Sequence, residues 1–447
     1  MSPAHQSLET TNLAGETRRK IRRRLIPFFV LLYTIAYLDR VNLGYASLEM
    51  TKDLHFSNSV YGLGAGIFFL GYWLLEIPGA ILVERWSARK WISRIMITWG
   101  VAAGLTGLIH TQSQFYWARF LLGVAEAGFF PGMAVYITHW FRAEDRAKAL
   151  AGLLVGYPVA QLVGAPLSAA FMSLHWLGLA GWRWLLIWEG VPAILVGICV
   201  LFYLTDRPTD AKWLTAAERD WIAGELQRER RMLSATEVSP WLVVLQPRVL
   251  LLTAIWFLST GASNTFALWL PKFVQGMSGY SSIATTLAST VPFLAALPFT
   301  LLVGWNSDRT GERRWHTAGC MFLAAAGLIF SRLTSNVPLG IAALTIAAMG
   351  TSARQAPFWS VSSSLLSGIS SAVAIALISS FGQLSSFAGP YVVGFLTDVT
   401  GTYAAGTYYL IGSYICAGVL MLLLTGLTPT FVLSRPTPSH LRSVLEK

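Results

Sequence analysis

A chain of 447 residues, 54% hydrophobic and only 12% charged, with a mean hydropathy of +0.54, is too apolar for a soluble protein of that length and reads as an all-α membrane protein. Gly and Pro are dispersed, and Cys199, Cys320 and Cys416 each stand alone inside an apolar run, which excludes disorder, fibrous repeats, a disulfide framework and a cysteine metal site. The net charge of +11 is interrupted by long apolar runs that leave no basic face of the size nucleic acid needs, so it is read as orienting charge.

A spanning helix needs about 20 mainly apolar residues to cross a core of about 30 Å. Twelve runs satisfy this, near 25 to 45, 59 to 83, 91 to 110, 114 to 138, 147 to 171, 182 to 205, 248 to 270, 284 to 305, 316 to 332, 337 to 361, 370 to 396 and 405 to 428. The first follows a basic tail, residues 1 to 24, that carries Arg18, Arg19, Lys20, Arg22, Arg23 and Arg24. It holds Asp39 and Arg40 and lacks a small-residue cleavage site, so it is expected to stay as the first helix and not to leave as a signal peptide. With that tail inside, most of the 33 Lys and Arg fall on the cytoplasmic side, and both termini are expected to be cytoplasmic.

The polar stretch 206 to 247 divides the spans six and six, which gives a first half at 25 to 205, a linker, a second half at 248 to 428 and a tail at 429 to 447. The linker is expected to be charged and solvated, with an amphipathic surface helix from about 216 to 232 as the other reading.

A repeat connects the halves. Glu84, Arg85, Trp86, Ser87, Ala88, Arg89, Lys90 and Trp91 follow the second span, and Asp308, Arg309, Thr310, Gly311, Glu312, Arg313, Arg314 and Trp315 follow the eighth at one constant offset. An acid, an Arg, two later basic residues and Trp at matched positions indicate two homologous six-helix halves in parallel orientation. The second copy, with Gly304, resembles the Gly-x-x-x-Asp-Arg-x-Gly-Arg-Arg loop of the major facilitator superfamily. The first departs from it, with Ala80 and Ser87 where glycines are usual. The resemblance implies that this loop pins neighbouring helices in one access state, through its acid and Arg against helix termini.

Charge at membrane depth costs at least about 2.5 to 3.5 kcal/mol per residue, so each such group asks for a partner or a task. Asp39 and Arg40 lie in the first span, and Arg119 and Glu126 lie on one face of the fourth, two turns apart. Arginine forks match carboxylate oxygens in pairs, which makes Arg40 and Arg119 candidate clamps for an organic anion and leaves the acids as candidate proton carriers. The competing reading is that the four form ion pairs that lock helices one and four. Arg354, in the tenth span, is either a second anion contact or a cation reaching for a span end. Glu76, before Pro78, and Glu189, before Gly190 and Pro192, are weaker candidates, for which helix-end capping is at least as strong a reading as transport. Gly62, Gly64 and Gly66 read as close-packing positions. Histidines lack metal-ligand spacing, and no nucleophile triad, phosphate loop or dinucleotide fingerprint occurs, so neither a metal, a cofactor nor an enzyme is expected.

Longer segments resemble the anion:cation symporter family of that superfamily: YLDRVNLGYASL from Tyr37, RIMITWG from Arg94, RFLLGVAEAGFFPG from Arg119, GWRWLLIWEGVP from Gly181, DRPTDAKWLT from Asp206 and GPYVVG from Gly389. The resemblance covers nearly the whole chain and is strongest to bacterial permeases for tartrate, sugar acids, nicotinate, phthalate or hydroxyphenylacetate. It implies that Arg40 and Arg119 contact a substrate carboxylate, that Asp39 and Glu126 carry protons, and that Tyr37, Tyr72, Tyr157 and Trp359 line the cavity. Ser379 and Gln383 stand in the eleventh span where the family often carries Asn, and Ser379 is the candidate contact there. The expectation is a monomeric importer in a bacterial inner membrane that moves a small organic carboxylate with protons. An exchanger or uniporter, and more remotely a membrane sensor of organic acids, are the other readings.

Overall fold

The computed structural model describes residues 3–233, 245–365 and 369–424, and these are helical throughout, without a strand. The tail 429 to 447 lies outside the described residues, as do the side chains of Glu84 and Arg85. In chain order the helices of the first half are α1 (Pro3–Asp53), α2 (Asn58–Arg85), α3 (Ala88–Thr106), α4 (Gln112–Glu126), α5 (Phe129–Trp140), α6 (Ala143–Leu154), α7 (Gly156–Met172) and α8 (Gly181–Tyr203). The connecting segment contributes α9 (Ala216–Leu233). The second half holds α10 (Pro247–Ser278), α11 (Ser282–Ala288), α12 (Val291–Thr310), α13 (Arg314–Leu333), α14 (Val337–Ala353), α15 (Gln355–Leu365), α16 (Ile369–Thr400) and α17 (Ala404–Leu423). Ten helical stretches among the described residues are long and apolar enough to cross a membrane. At the third and eleventh predicted spans stand α3, of 19 residues and opening on Ala88-Arg89-Lys90, and α16, of 32 residues.

Four predicted spans are interrupted, and proline chemistry sets where. A proline has no N–H to give the carbonyl four residues earlier. Helix α4 gives way at Ala127, four before Pro131, and α6 ends at Leu154, four before Pro158. Helix α11 ends at Ala288, four before Pro292, and α14 ends at Ala353, four before Pro357. At the first of these the chain turns through Gly128 at φ 82°, a left-handed conformation that suits glycine.

The halves meet most closely where α2 crosses α16. A Cβ on Gly62 would stand 2.2 Å from the Pro390 carbonyl oxygen, and one on Gly66 would stand 2.2 Å from that of Phe387, so only glycine admits this approach. Gly64 fits against the Phe115 ring of α4. One end of the crossing is stitched by Asp398. Its carboxylate accepts hydrogen bonds from the backbone N–H of Asn58 (3.0 Å) and Ser59 (2.7 Å), from Asn58 Nδ2 (3.0 Å) and from Ser59 Oγ (2.5 Å). Nearby, Tyr61 donates to the Leu268 carbonyl at 3.1 Å, and the Lys272 ammonium faces Thr51 Oγ1 at 3.3 Å and Asn58 Oδ1 at 3.4 Å. Among the described residues, the hydrogen bonds that join the halves cluster at this end.

The segment after the sixth span is not simply solvated. Residues 216–233 form α9, which docks Ile222 and Leu226 against the first half as buried residues. Its charges are paired: Glu218 with Lys20 at 2.5 Å, Glu225 with Arg142 at 3.2 Å, and Glu229 with Arg146 at 2.5 Å. The charge run hides an apolar stripe of period near 3.6, which makes the amphipathic alternative the one realised.

Candidate functional site

Asp39 and Arg40 are neighbours on α1, so they point to different sides, and α4 fills both sides by presenting Arg119 and Glu126 along one face. Asp39, Arg119 and Glu126 are 4%, 4% and 1% exposed, at a depth where water cannot screen them. Arg40 closes on Glu126, with Nε at 2.9 Å and Nη2 at 2.5 Å from the same oxygen, Oε1. Oε2 of Glu126 stays buried without a partner. The Arg40 guanidinium lies among three rings, 5.1 Å from the centroid of Tyr37, 5.1 Å from Tyr72 and 5.6 Å from Phe68.

Arg119 is arranged differently. Its guanidinium sits 4.8 Å from the Phe68 centroid, and its Nε has no hydrogen-bond partner. Asp39, Glu126 and Glu189 act on it electrostatically, yet none is in ion-pair contact with it. The Trp99 indole faces Asp39, whose Oδ2 has no hydrogen-bond partner. The first half therefore holds one arginine engaged by an acid and one facing acids without touching them.

Two acids that sequence reasoning weighed as caps belong to this cluster. Glu189 lies inside α8, both of its carboxylate oxygens are buried without partners, and Asp39 and Arg119 are its electrostatic neighbours. Glu76 lies inside α2 with Arg40 as its charged neighbour and Oε2 unpartnered. Neither stands at a helix end. The signal was present in the sequence, since each is an ionisable residue in an apolar run, but nearby Pro78 and Pro192 suggested ends that the helices do not have.

The aromatic expectations divide. Tyr37 and Tyr157 pack edge to face at 4.7 Å, so Tyr157 of α7 joins the aromatic group around Arg40. Tyr72 lies 5.1 Å from the Arg40 guanidinium. Trp359 is half-buried in the second half, 4.7 Å from Trp256 and 5.4 Å from Phe358. Ser379 is half-buried on α16, and no contact ties it to the charged cluster. Arg354, the residue between α14 and α15, is fully buried. Its Nη2 is 3.5 Å from Thr260 Oγ1, and its guanidinium is 5.1 Å from the Trp256 centroid.

The paired loops do touch helix ends and carbonyls, through residues the spacing only partly indicated. In the first copy Arg89 donates from Nη1 to the Leu201 carbonyl at 3.0 Å, while Asp206 accepts from Ser87 Oγ at 2.7 Å and from the Arg89 N–H at 2.9 Å. In the second copy Arg313 donates to the Ser360 carbonyl at 3.2 Å. There the acid at the start of α13 is Glu312, which accepts from the N–H groups of Trp315 (2.7 Å) and His316 (3.1 Å). Asp308 and Arg309 are exposed, the latter 5.2 Å from the Trp305 ring.

Helices long and apolar enough to cross a membrane, around a cluster of charged side chains buried in the first half, fit the class of membrane transport proteins. The sequence matches the family model described as Major Facilitator Superfamily at residues 29–390 and 279–446. It is 41% identical to an Agrobacterium vitis protein named "Putative tartrate transporter", with 96% of each chain covered. It is 35% identical to the quinolone resistance transporter of Acinetobacter baumannii, over 88% of this chain and 91% of that one. Among solved structures, a bacterial Spinster homologue in an inward-facing, occupied conformation superimposes with a TM-score of 0.72 at 19% identity, over 91% of this chain and 97% of the other. The D-xylose-proton symporter gives 0.67 at 17% identity, over 91% and 98%. The chain belongs to the major facilitator superfamily and is a transporter of that family, not an enzyme.

Proposed function

We propose that the protein imports a small organic carboxylate across a bacterial inner membrane by proton symport, with both termini cytoplasmic. The halves, 25 to 205 and 248 to 428, rock about the buried cluster, and the protein works as a monomer. The observation that carries this reading is the unequal state of the two clamp arginines. Arg40 is occupied by Glu126 through a single carboxylate oxygen, whereas Arg119 is buried beside acids with its Nε free. A substrate carboxylate can take Arg119 at once, and competes with Glu126 when it takes the Nε–Nη2 edge of Arg40. A displaced carboxylate buried at 1% exposure cannot remain charged without a partner, so it takes a proton. Substrate and proton then load together, and release toward the cytoplasm returns Glu126 to Arg40.

The charge balance supports the same order. Two guanidiniums face four carboxyls, Asp39, Glu76, Glu126 and Glu189, so the unloaded cluster has more acids than cations and room for protons. The end of the bundle stitched by Asp398 is then the outer one, and exchange with the cytoplasm runs through the opposite end. The two Agrobacterium vitis relatives named for tartrate support the carboxylate reading.

The test is uptake of radiolabelled organic acids into proteoliposomes with and without an inward proton gradient. Accumulation should follow the gradient in the wild type, and Glu126→Gln should lose gradient-driven accumulation while retaining exchange of labelled for unlabelled substrate. Arg119→Gln should weaken binding by about tenfold to a hundredfold, the worth of a charged hydrogen-bonded pair. Uptake that ignores the gradient and requires counter-substrate would establish an exchanger instead.

A further inference from the structure

Arg354 is a charge that the fold buries without an internal counter-ion. Its side chain is 0% exposed, and a guanidinium remains protonated in any protein environment. No acid among the described residues forms an ion pair with it; the pairs present involve other residues throughout. Nε and Nη1 have no hydrogen-bond partner, and Nη2 makes a long contact to Thr260. What surrounds it is Trp256, the Tyr414 hydroxyl, Cys320 and, from the first half, Tyr157. An arginine seeking water at a span end would be exposed, so that reading fails here.

The position of this charge matters as much as its isolation. Tyr157 senses Arg354 on one side and packs on Tyr37 at 4.7 Å on the other, and Tyr37 lies 5.1 Å from the Arg40 guanidinium. Two tyrosine rings thus lie between the clamp of the first half and the electrostatic reach of the second half's lone guanidinium. Arg354 also sits at the interruption before Pro357, where the Ala353 carbonyl loses its helical N–H partner while the backbone itself stays helical.

We infer that Arg354 receives a second carboxylate of the substrate, so that the protein selects dianionic organic acids and uses the second charge to bridge its two halves. This rests on the carboxylate-clamp reading above and adds to it the substrate class and a reason for occlusion. A monocarboxylate would satisfy Arg119 and leave Arg354 unpaired, whereas a dicarboxylate neutralises both and gives the halves a common ligand on which to close.

The experiment uses purified full-length protein and three matched probe pairs: succinate, glutarate and phthalate, each against its own monoamide, which keeps size and one carboxylate and removes the second charge. Affinities come from calorimetry and thermal shift in chloride-free and chloride buffers, for the wild type, Arg354→Gln, Arg354→Lys and Arg119→Gln. The expected result is that at least one diacid binds about tenfold or more tightly than its monoamide. Arg354→Gln should bring the pair within about threefold, and Arg354→Lys should keep an intermediate preference. The melting temperature of ligand-free Arg354→Gln should be unchanged or higher, because a buried unpaired charge is gone. Should Arg354→Gln fail to fold, a diacid preference in Arg354→Lys below that of the wild type supports the assignment, and an undiminished one overturns it. Equal binding of diacid and monoamide, a preference that survives Arg354→Gln, no binding by any probe, or monoamide binding that requires chloride, which would make a halide the resident counter-ion, each overturn the assignment. Arg119→Gln separates the two readings: if it leaves every affinity intact the clamp itself is wrong, whereas if it weakens diacid and monoamide alike the clamp stands whatever Arg354 does.

Discussion

Glu126 and a substrate carboxylate compete for one guanidinium, and that competition is the smallest unit of coupling this fold offers. The geometry is asymmetric: Arg40 spends two donors on Oε1 of Glu126, and Oε2 is left bare in a buried site. Glu126→Gln keeps the shape and one acceptor but removes the charge, which is why exchange should persist while gradient-driven accumulation is lost. Four of these charges were legible in the sequence because their insertion cost at membrane depth demands an explanation. The competing expectation of ion pairs between helices one and four is met by Arg40 and Glu126; what the sequence could not supply was which of the four would pair, and that Arg119 would stay out of ion-pair contact. Glu189 was within reach of the same cost argument, but Gly190 and Pro192 drew it toward a capping role that the uninterrupted α8 excludes. Trp99, Phe68 and Trp256, which shape the site, carried no signal apart from the general abundance of aromatics.

At the scale of elements, prolines place the site. The break before Pro131 puts Glu126 at a helix end where Ala127 and Gly128 leave helical geometry, and those before Pro158 and Pro357 put Tyr157 and Arg354 beside a lost helical hydrogen bond while the backbone stays helical. The spans were legible from hydrophobicity, but runs of 25 residues conceal such breaks, because apolarity continues through them. Pro357→Ala restores an N–H for the Ala353 carbonyl and should straighten the tenth span. The expected outcome is a melting temperature equal to or above the wild type together with a several-fold loss of diacid affinity, read by thermal shift; an unchanged affinity would show that the break does not aim Arg354. The docked helix α9 gives a second element-scale prediction. Burial alone would raise the Glu218 carboxyl, but the Lys20 ammonium and Thr215 hold it below the usual carboxylate range. A lowered acid stabilises docking at pH values above its ordinary range, and that contribution is lost as pH falls through the lowered value. Hydrogen exchange, corrected for intrinsic rates, should show α9 protected at pH 7 and loosened below about pH 4. In Glu218→Gln protection should already be reduced at pH 7, by about 1 kcal/mol or less since Lys20 is half exposed.

For the whole molecule, the question is what holds one end shut while the other stays free to open. Glycines let α2 and α16 touch backbone to backbone at Gly62 and Gly66, but apolar contact is as good in either access state and does not select one. The selective bonds are polar. Asp398 gathers two N–H groups at the start of α2 and two side-chain donors, with the favourable sign of charge for a helix N-terminus. Lys272, 6% exposed, lies beside it against the Tyr61 and Trp269 rings at 4.7 and 5.4 Å. These bonds span the halves, so they exist only while this end is closed, and removing them shifts the balance between states without touching the buried cluster. Asp398→Asn forfeits the charge and at least one acceptor; at about 1.4 kcal/mol for each tenfold, a loss of one to two charged hydrogen bonds raises the population open at this end by about tenfold or more. Spin labels on the exposed positions Lys52 and Thr402 report the gap directly. Asp398→Asn should add a longer-distance population in the absence of substrate, and a distance distribution identical to the Asp398 protein would mean that closure of this end rests on helix packing alone.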